Sequence, residues 1–236
     1  MTAARPFARA DLDLLRRWDT PTICNALELV VPARRGRGFT LRPFVAADPS
    51  LPPVCGLART GQIRAAAPSG RTREQDREAR IGWYEYVADA DLPTVAVIED
   101  LDESPGFGAF WGEVNSNVHK GLGCLGCVTS GSFRDLDALA PGFQIIGGMV
   151  NPSHAHVHMV DFGREVMVHG MPCLHDDVVH ADRHGAVVIP AEAVRALPAA
   201  IDLTARREKV ILDMCRRDDF DMAKLREALS RADEIH

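Results

Sequence analysis

The stretch WGEVNSNVHKGLGCLGCVTSGSFRDLDAL, residues 111–139, decides the fold of this 236-residue chain. It contains Glu113, a helix-like segment, a short apolar strand Cys124–Thr129, a glycine-containing turn, and adjacent Arg134 and Asp135. Because a helix returns the chain across a sheet, a helix-plus-strand unit of this length can bring its two ends together. We therefore predict that two acids and a guanidinium converge at the end of a sheet, where α/β proteins usually bind ligands.

The spacing of these groups resembles the RraA-like family, which includes class II 4-hydroxy-4-methyl-2-oxoglutarate aldolases and related oxaloacetate decarboxylases. Here the motif is Gly-Glu at positions 112 and 113, then twenty residues, then Arg-Asp at 134 and 135. DTPT and NAL from Asp19, GLART from Gly56 and HADRHGAV from His180 extend the resemblance over roughly residues 12 to 190. The sequence departs from the aldolase pattern at Ala109, where that pattern has a glycine.

The resemblance implies an α/β fold. We expect one domain over residues 1–236, a layered β/β/α sandwich of the swivelling type, with residues 191–236 as a helical C-terminal extension. The implied activity is retro-aldol cleavage or decarboxylation of a short 2-keto acid, such as 4-hydroxy-4-methyl-2-oxoglutarate or oxaloacetate, with release of pyruvate. No nucleotide-binding glycine motif occurs in the sequence, which argues against a nucleotide cofactor.

Both reactions place an enolate on the departing pyruvate, and the enzyme must stabilise that charge in the transition state. Lys120 is the one lysine near the motif, so a Schiff base has little support and a divalent cation is the alternative electron sink. The family pattern makes Asp135 the direct ligand of Mg²⁺ or Mn²⁺. Glu113 would hold the ion through water.

The remaining motif residues are expected to bind the substrate. The planar guanidinium of Arg134 suits the substrate carboxylate or the developing enolate. Backbone amides of Val114 and Asn115, near a helix start, can receive the pyruvate carboxylate, and Gly112 permits close approach. Family members form trimers or hexamers with sites at subunit interfaces, to which a neighbouring subunit adds an acid; Glu208 is a candidate.

Composition limits the classes of partner. Hydrophobic residues make up 46% and charged residues 25%, as in ordinary globular proteins. The formal net charge of −6 argues against nucleic acid or an anionic membrane as partner. The N-terminus does not resemble a signal peptide, so we expect a cytoplasmic protein. Cys124 and Cys127 form a C-x-x-C inside an apolar run, and we expect both thiols in the core.

Histidines form a second feature. His154, His156 and His158 alternate, so on a strand all three imidazoles would share one side. Such a row is either a metal ligand set, or a partly exposed polar strand or subunit contact. His180 and His184 lie in a predicted hairpin, 178–190, and have no assigned role.

Other elements follow from local patterns. We predict a helix over residues 11–31, a helix beginning at 136–139, and a division of the C-terminal helices at Pro198. The charged segment 71–80 is typical of an exposed helix face. Asp100 and Asp102 follow a buried strand and either border the site or hold a turn.

Two other functions remain open. The first is a non-catalytic regulator that binds a ribonuclease, as RraA does; such members break the Arg-Asp motif that this chain keeps. The second is a metal-dependent lyase or hydrolase acting on another hydroxy acid or sugar-derived acid.

Overall fold

The computed structural model describes residues 5–236, which form six α-helices and thirteen strands. The helices are α1 (Arg9–Leu15), α2 (Thr20–Val30), α3 (Arg73–Ala88), α4 (Glu113–Gly121), α5 (Leu197–Cys215) and α6 (Met222–Asp233). The strands are β1 (Val45–Ala46), β2 (Val54–Arg64), β3 (Thr94–Asp100), β4 (Ala109–Trp111), β5 (Cys124–Thr129), β6 (Ser132–Phe133), β7 (Gln144–Gly147), β8 (Met149–Val150), β9 (His158–Phe162), β10 (Val166–Val168), β11 (Met171–Cys173), β12 (Val178–Asp182) and β13 (Gly185–Ile189).

The main sheet has eight strands in the order β1-β7-β5-β3-β2-β12-β13, with β9 also paired to β2. Neighbours within β2, β3, β5 and β7 are parallel, and the outer strands are antiparallel. The β3 sequence TVAVIED is buried over nearly its whole length, as expected for a parallel strand covered on both faces. The predicted α/β class with C-terminal helices is confirmed.

Two smaller sheets complete the layers. Strands β4, β6 and β8 form a parallel three-stranded sheet, and β10 and β11 form an antiparallel hairpin. The hairpin packs its buried side chains against β2, β3 and β12, while α1, α2 and α5 pack against β2, β12 and β13. A third cluster of buried side chains joins α3 to β3, β4 and β7 and carries Trp83 and Trp111.

Three helix predictions need correction. Residues 11–31 are two helices, because the chain breaks after α1 and Asp19 caps α2 by accepting a hydrogen bond from the Thr22 amide at 3.0 Å. Pro198 does not divide the C-terminal helices: it lies in the first turn of α5, where a missing amide hydrogen is harmless. Residues 136–138 form one 3₁₀ turn only.

Across residues 5–236, no helix is both long enough and apolar enough to cross a membrane.

Candidate active site

The two halves of the motif lie side by side. Strands β4 and β6 are parallel neighbours, with Trp111 opposite Phe133. The residues that follow them, Gly112 and Arg134, therefore leave the same edge of the small sheet, and the Arg134 amide donates to the Trp111 carbonyl at 3.0 Å. The predicted convergence of the two ends is confirmed.

Asp135 connects the two halves. Its carboxylate oxygen Oδ2 accepts from the Glu113 amide at 3.2 Å, and Arg134 Nε lies 3.5 Å from the same oxygen. The Arg134 and Asp135 side chains are about one third exposed, so this ion pair contributes little to stability. Asp135 has a left-handed backbone, with φ 57°, which aspartate tolerates better than most residues.

Gly112 is required by close packing. A β-carbon at this position would lie 2.5 Å from Asp135 Oδ2 and 3.3 Å from Arg134 Cγ. The backbone of Gly112 is extended, so the requirement is steric and not conformational.

Helix α4 begins beside these groups. The Ser116 amide makes the first bond of the helix, to the Gly112 carbonyl at 3.0 Å. Within residues 5–236 no acceptor binds the amides of Val114 or Asn115. Two free amides and the positive end of the helix dipole therefore face the cavity and can bind an anion.

The Asn115 side chain is occupied by the protein itself. Its oxygen accepts from the Tyr84 hydroxyl at 2.7 Å, and its amide nitrogen donates to the Phe110 carbonyl. These two bonds hold the Asn115 side chain in place beside its free backbone amide, the group that the sequence analysis assigned to the ligand.

A buried histidine lies behind the start of α4. Trp83 Nε1 donates to His119 Nε2 at 2.8 Å, so the His119 Nδ1–H donates to the Asn115 carbonyl at 2.7 Å. Burial lowers the pKa of His119 to about 4, and the imidazole is neutral. This residue could not be predicted from the sequence, because a lone histidine on a helix belongs to no motif.

These groups border an open cavity of about 1470 Å³. One wall is the face of α3 from Arg73 to Tyr84, and another is the segment 154–159. The segment 71–80 is exposed, as predicted, but the sequence did not indicate that it faces the motif. No lysine lies among the residues that form the cavity wall, a statement limited to the described chain.

The predicted strand of alternating histidines is wrong. Ala155 has a positive φ of 46°, which turns the chain, and β9 begins only at His158. His154, His156 and His158 all border the cavity nevertheless. Among residues 5–236, no three His, Cys, Asp or Glu side chains are grouped to hold a metal ion, so the row is not a ligand set.

Other candidate residues lie outside the cavity. Asp100 accepts from the Gly106 amide at 2.7 Å, and Asp102 accepts from the Ala65 amide at 2.7 Å, so both hold turns. Burial raises the pKa of Asp100, and the hydrogen bonds to its carboxylate oppose that shift. Glu208 is exposed on α5.

The predicted hairpin is formed by β12 and β13. His180 is fully buried there, within 3.0 Å of the Thr20 hydroxyl, and burial lowers its pKa to about 4. His184 Nδ1 lies 3.1 Å from the buried Asp182 carboxylate. These contacts fix α2 against the hairpin, away from the cavity.

The C-x-x-C prediction is confirmed. Cys124 and Cys127 are buried free thiols in β5, and burial raises the pKa of both. They pack as small apolar side chains.

The model of a protein family described as RraA-like (Aldolase/RraA) matches residues 20–188 of the chain. Among solved structures, the chain resembles RraAS2 of Streptomyces coelicolor, described as an unusual member of the RNase ES inhibitor RraA protein family. That match has a TM-score of 0.64 and 24% identity, and covers 86% of this chain and 94% of the other.

Two further structures have the same fold. An uncharacterized protein from Pseudomonas syringae pv. tomato DC3000 has a TM-score of 0.70 and 17% identity, and the match covers 98% of this chain and 99% of that one. A protein described among novel cellulases from gut-associated microbes has a TM-score of 0.72 and 13% identity, with 89% and 90% coverage. At these identities the likeness is one of fold alone. No curated protein matches the sequence.

Proposed function

The chain belongs to the RraA-like family, and we propose that it is a divalent-metal-dependent lyase that cleaves or decarboxylates a 2-keto acid and releases pyruvate. The family includes RNase inhibitors as well as aldolases and decarboxylases, so membership alone does not choose between them. The observation that carries the proposal is the contact between Glu113 and Asp135 at a helix start with free amides.

The donor set fits Mg²⁺ or Mn²⁺. Within the described residues, Asp135 Oδ1 has no protein partner, and Glu113, whose backbone amide donates to Asp135 Oδ2, borders the same cavity and can add a second carboxylate. Mg²⁺ is usually held by one or two carboxylates and keeps several waters, whereas zinc takes three or four side-chain donors. We therefore assign Asp135 as the direct ligand and Glu113 as a ligand through water. A bound ion would act as a Lewis acid on the keto oxygen.

The protein's own groups bind and orient the keto acid. The free amides of Val114 and Asn115 receive its carboxylate, and Gly112 lets it approach the chain. Arg134 donates to the keto oxygen, and this interaction strengthens as negative charge develops there. An arginine side chain is always protonated and cannot accept a proton, so we assign that role to the Glu113 carboxylate, which does not bind the ion directly.

We also propose a homo-oligomer, a trimer or hexamer of one-domain subunits. Large apolar side chains lie exposed around the edge of the site: Phe107, Val114, Leu136, Met149 and Val150. Such a group of exposed side chains is typical of a surface that another protein covers.

The test measures pyruvate released from oxaloacetate and from 4-hydroxy-4-methyl-2-oxoglutarate with Mg²⁺ or Mn²⁺. We expect release that EDTA abolishes. Asp135→Ala should lose Mn²⁺ binding and activity, while its circular dichroism spectrum stays that of the parent protein. If neither substrate yields pyruvate with any divalent ion, the lyase proposal is wrong and the alternative function, a non-catalytic regulator that binds a ribonuclease, is favoured. Full activity in Asp135→Ala would mean that the site is misplaced.

A further inference from the structure

Helix α3 presents a stripe of arginines to the cavity. Arg73, Arg77 and Arg80 recur at the spacing that places side chains on one helix face, and all three border the cavity and are exposed. Within residues 5–236 no carboxylate lies within ion-pair distance of these three guanidiniums; on this wall the ion pair is between Arg71 and Asp76. Three guanidiniums without an ion-pair partner among the described residues therefore lie within about 10 Å along the helix axis.

The stripe leads towards the motif. Tyr84, one helical turn beyond Arg80, donates its hydroxyl hydrogen to Asn115 at the start of α4. Arg80 and Arg77 are therefore roughly 6 and 10 Å along α3 from Tyr84, which contacts the side chain of Asn115. Positive charge continues outward from the place assigned to the pyruvate carboxylate.

The facing wall adds no negative charge. His154 Nδ1–H donates to the Ala155 carbonyl and His158 Nδ1–H to the His156 carbonyl, both at 2.8 Å, because a carbonyl can only accept. The acids of α3 that border the cavity are Glu74 and Asp76, and Asp76 accepts from the Ser69 hydroxyl at 2.7 Å. Asp76 also pairs with Arg71, so Glu74 is the one acid of this wall that opposes the three arginines within residues 5–236, and the balance of charge favours an anion.

We propose that Arg73, Arg77 and Arg80 bind a second anionic group, a phosphate or a carboxylate, at the far end of an extended substrate. The planar forks of arginine match both groups. A six-carbon acid spans on the order of 6 Å between its terminal carbons, which is similar to the offset between Tyr84 and Arg80 along α3. The identity of the reacting end rests on the proposed lyase function. The distal site depends only on α3.

The experiment compares three six-carbon acids that cannot be cleaved as keto acids. Calorimetric titration in Mg²⁺ buffer uses gluconate, glucarate and 6-phosphogluconate, which differ at the end remote from the shared carboxylate. We expect glucarate or 6-phosphogluconate to bind at least about tenfold more tightly than gluconate, since charge-assisted hydrogen bonds to arginine are strong. The tighter of the two identifies the group as carboxylate or phosphate.

Variants locate the effect. Arg77→Gln should lower the preference and the triple variant R73Q/R77Q/R80Q should abolish it. Arg226→Gln, which changes an exposed arginine on α6, is the matched control and should leave the preference unchanged. Melting followed by circular dichroism verifies that the variants are folded. Equal affinity for all three acids, or an undiminished preference in the triple variant, overturns the proposal.

The two proposals fail separately. If the protein prefers the doubly charged acids but releases no pyruvate, the distal site is supported and the lyase function is wrong. Pyruvate release without that preference supports the lyase and rules out the distal site. Binding of an acidic protein to the stripe, without the preference, counts against a substrate site.

Discussion

Gly112→Ala tests the assembly of the site most directly. The added β-carbon would lie 2.5 Å from Asp135 Oδ2, and ordinary contact begins at 3.4 Å. The carboxylate must therefore retreat by roughly 1 Å, away from the Glu113 amide that it accepts from. The backbone of Gly112 is extended, so alanine adds no conformational penalty.

The structural cost and the functional cost should differ in size. Losing one long, partly exposed hydrogen bond destabilises the protein by about 1 kcal/mol, or a few degrees in Tm for a chain of this length. A displacement of about 1 Å in a catalytic group lowers the rate by roughly a hundredfold. We therefore expect a large loss of kcat/KM for pyruvate release and a small loss of thermal stability.

Gly121→Ala is the matched control. It changes a glycine in the same helix, at its last residue, and no atom lies within 4 Å of the added β-carbon. We expect unchanged activity and equal or slightly raised Tm, because alanine favours helix. Parental activity in Gly112→Ala, or an equal loss in both variants, would refute the steric argument.

Three more predictions concern stability, thiols and assembly. His119 and His180 have pKa values of about 4 in the folded protein against 6.5 unfolded, so between pH 6.5 and 4 the unfolded chain takes up protons that the folded protein does not. The free energy of unfolding should therefore fall as pH falls through this range, by on the order of 3 kcal/mol for each histidine. Urea denaturation across this range should show the decline, and His119→Gln should flatten it. In the native protein Ellman's reagent should react promptly with the exposed Cys215, and with the buried cysteines only after urea is added. Light scattering should show that the unmodified protein is a trimer or hexamer and that Met149→Glu or Val150→Glu dissociates it. If the unmodified protein is a monomer, the proposed assembly is wrong.

The fold and the centre of the site could be read from the sequence because their signals are local. The β-branched run of β3 predicts a buried strand. The spacing from Glu113 to Arg134 predicts a crossover whose two ends lie side by side, as they do after β4 and β6. Gly112 was identifiable for the same reason: it stands between a short strand and a helix start.

The cavity walls could not be read in this way. The arginines of α3 have the pattern of any solvated helix face, and only tertiary packing turns that face towards the motif. The positive φ of Ala155 breaks the alternation of histidines, and alanine gives no warning of it. The prediction at Pro198 was wrong because proline is common both where a helix ends and in the first turn of a helix.

The bond between Trp83 and His119 has a mechanical consequence. Together with the bond between Tyr84 and Asn115, it fastens α3 to α4 at two successive residues of α3. The wall that carries the arginines and the wall that carries the free amides are therefore held at a fixed separation. If the two walls bind the two ends of one substrate, as proposed, this fixed separation favours acids long enough to reach both.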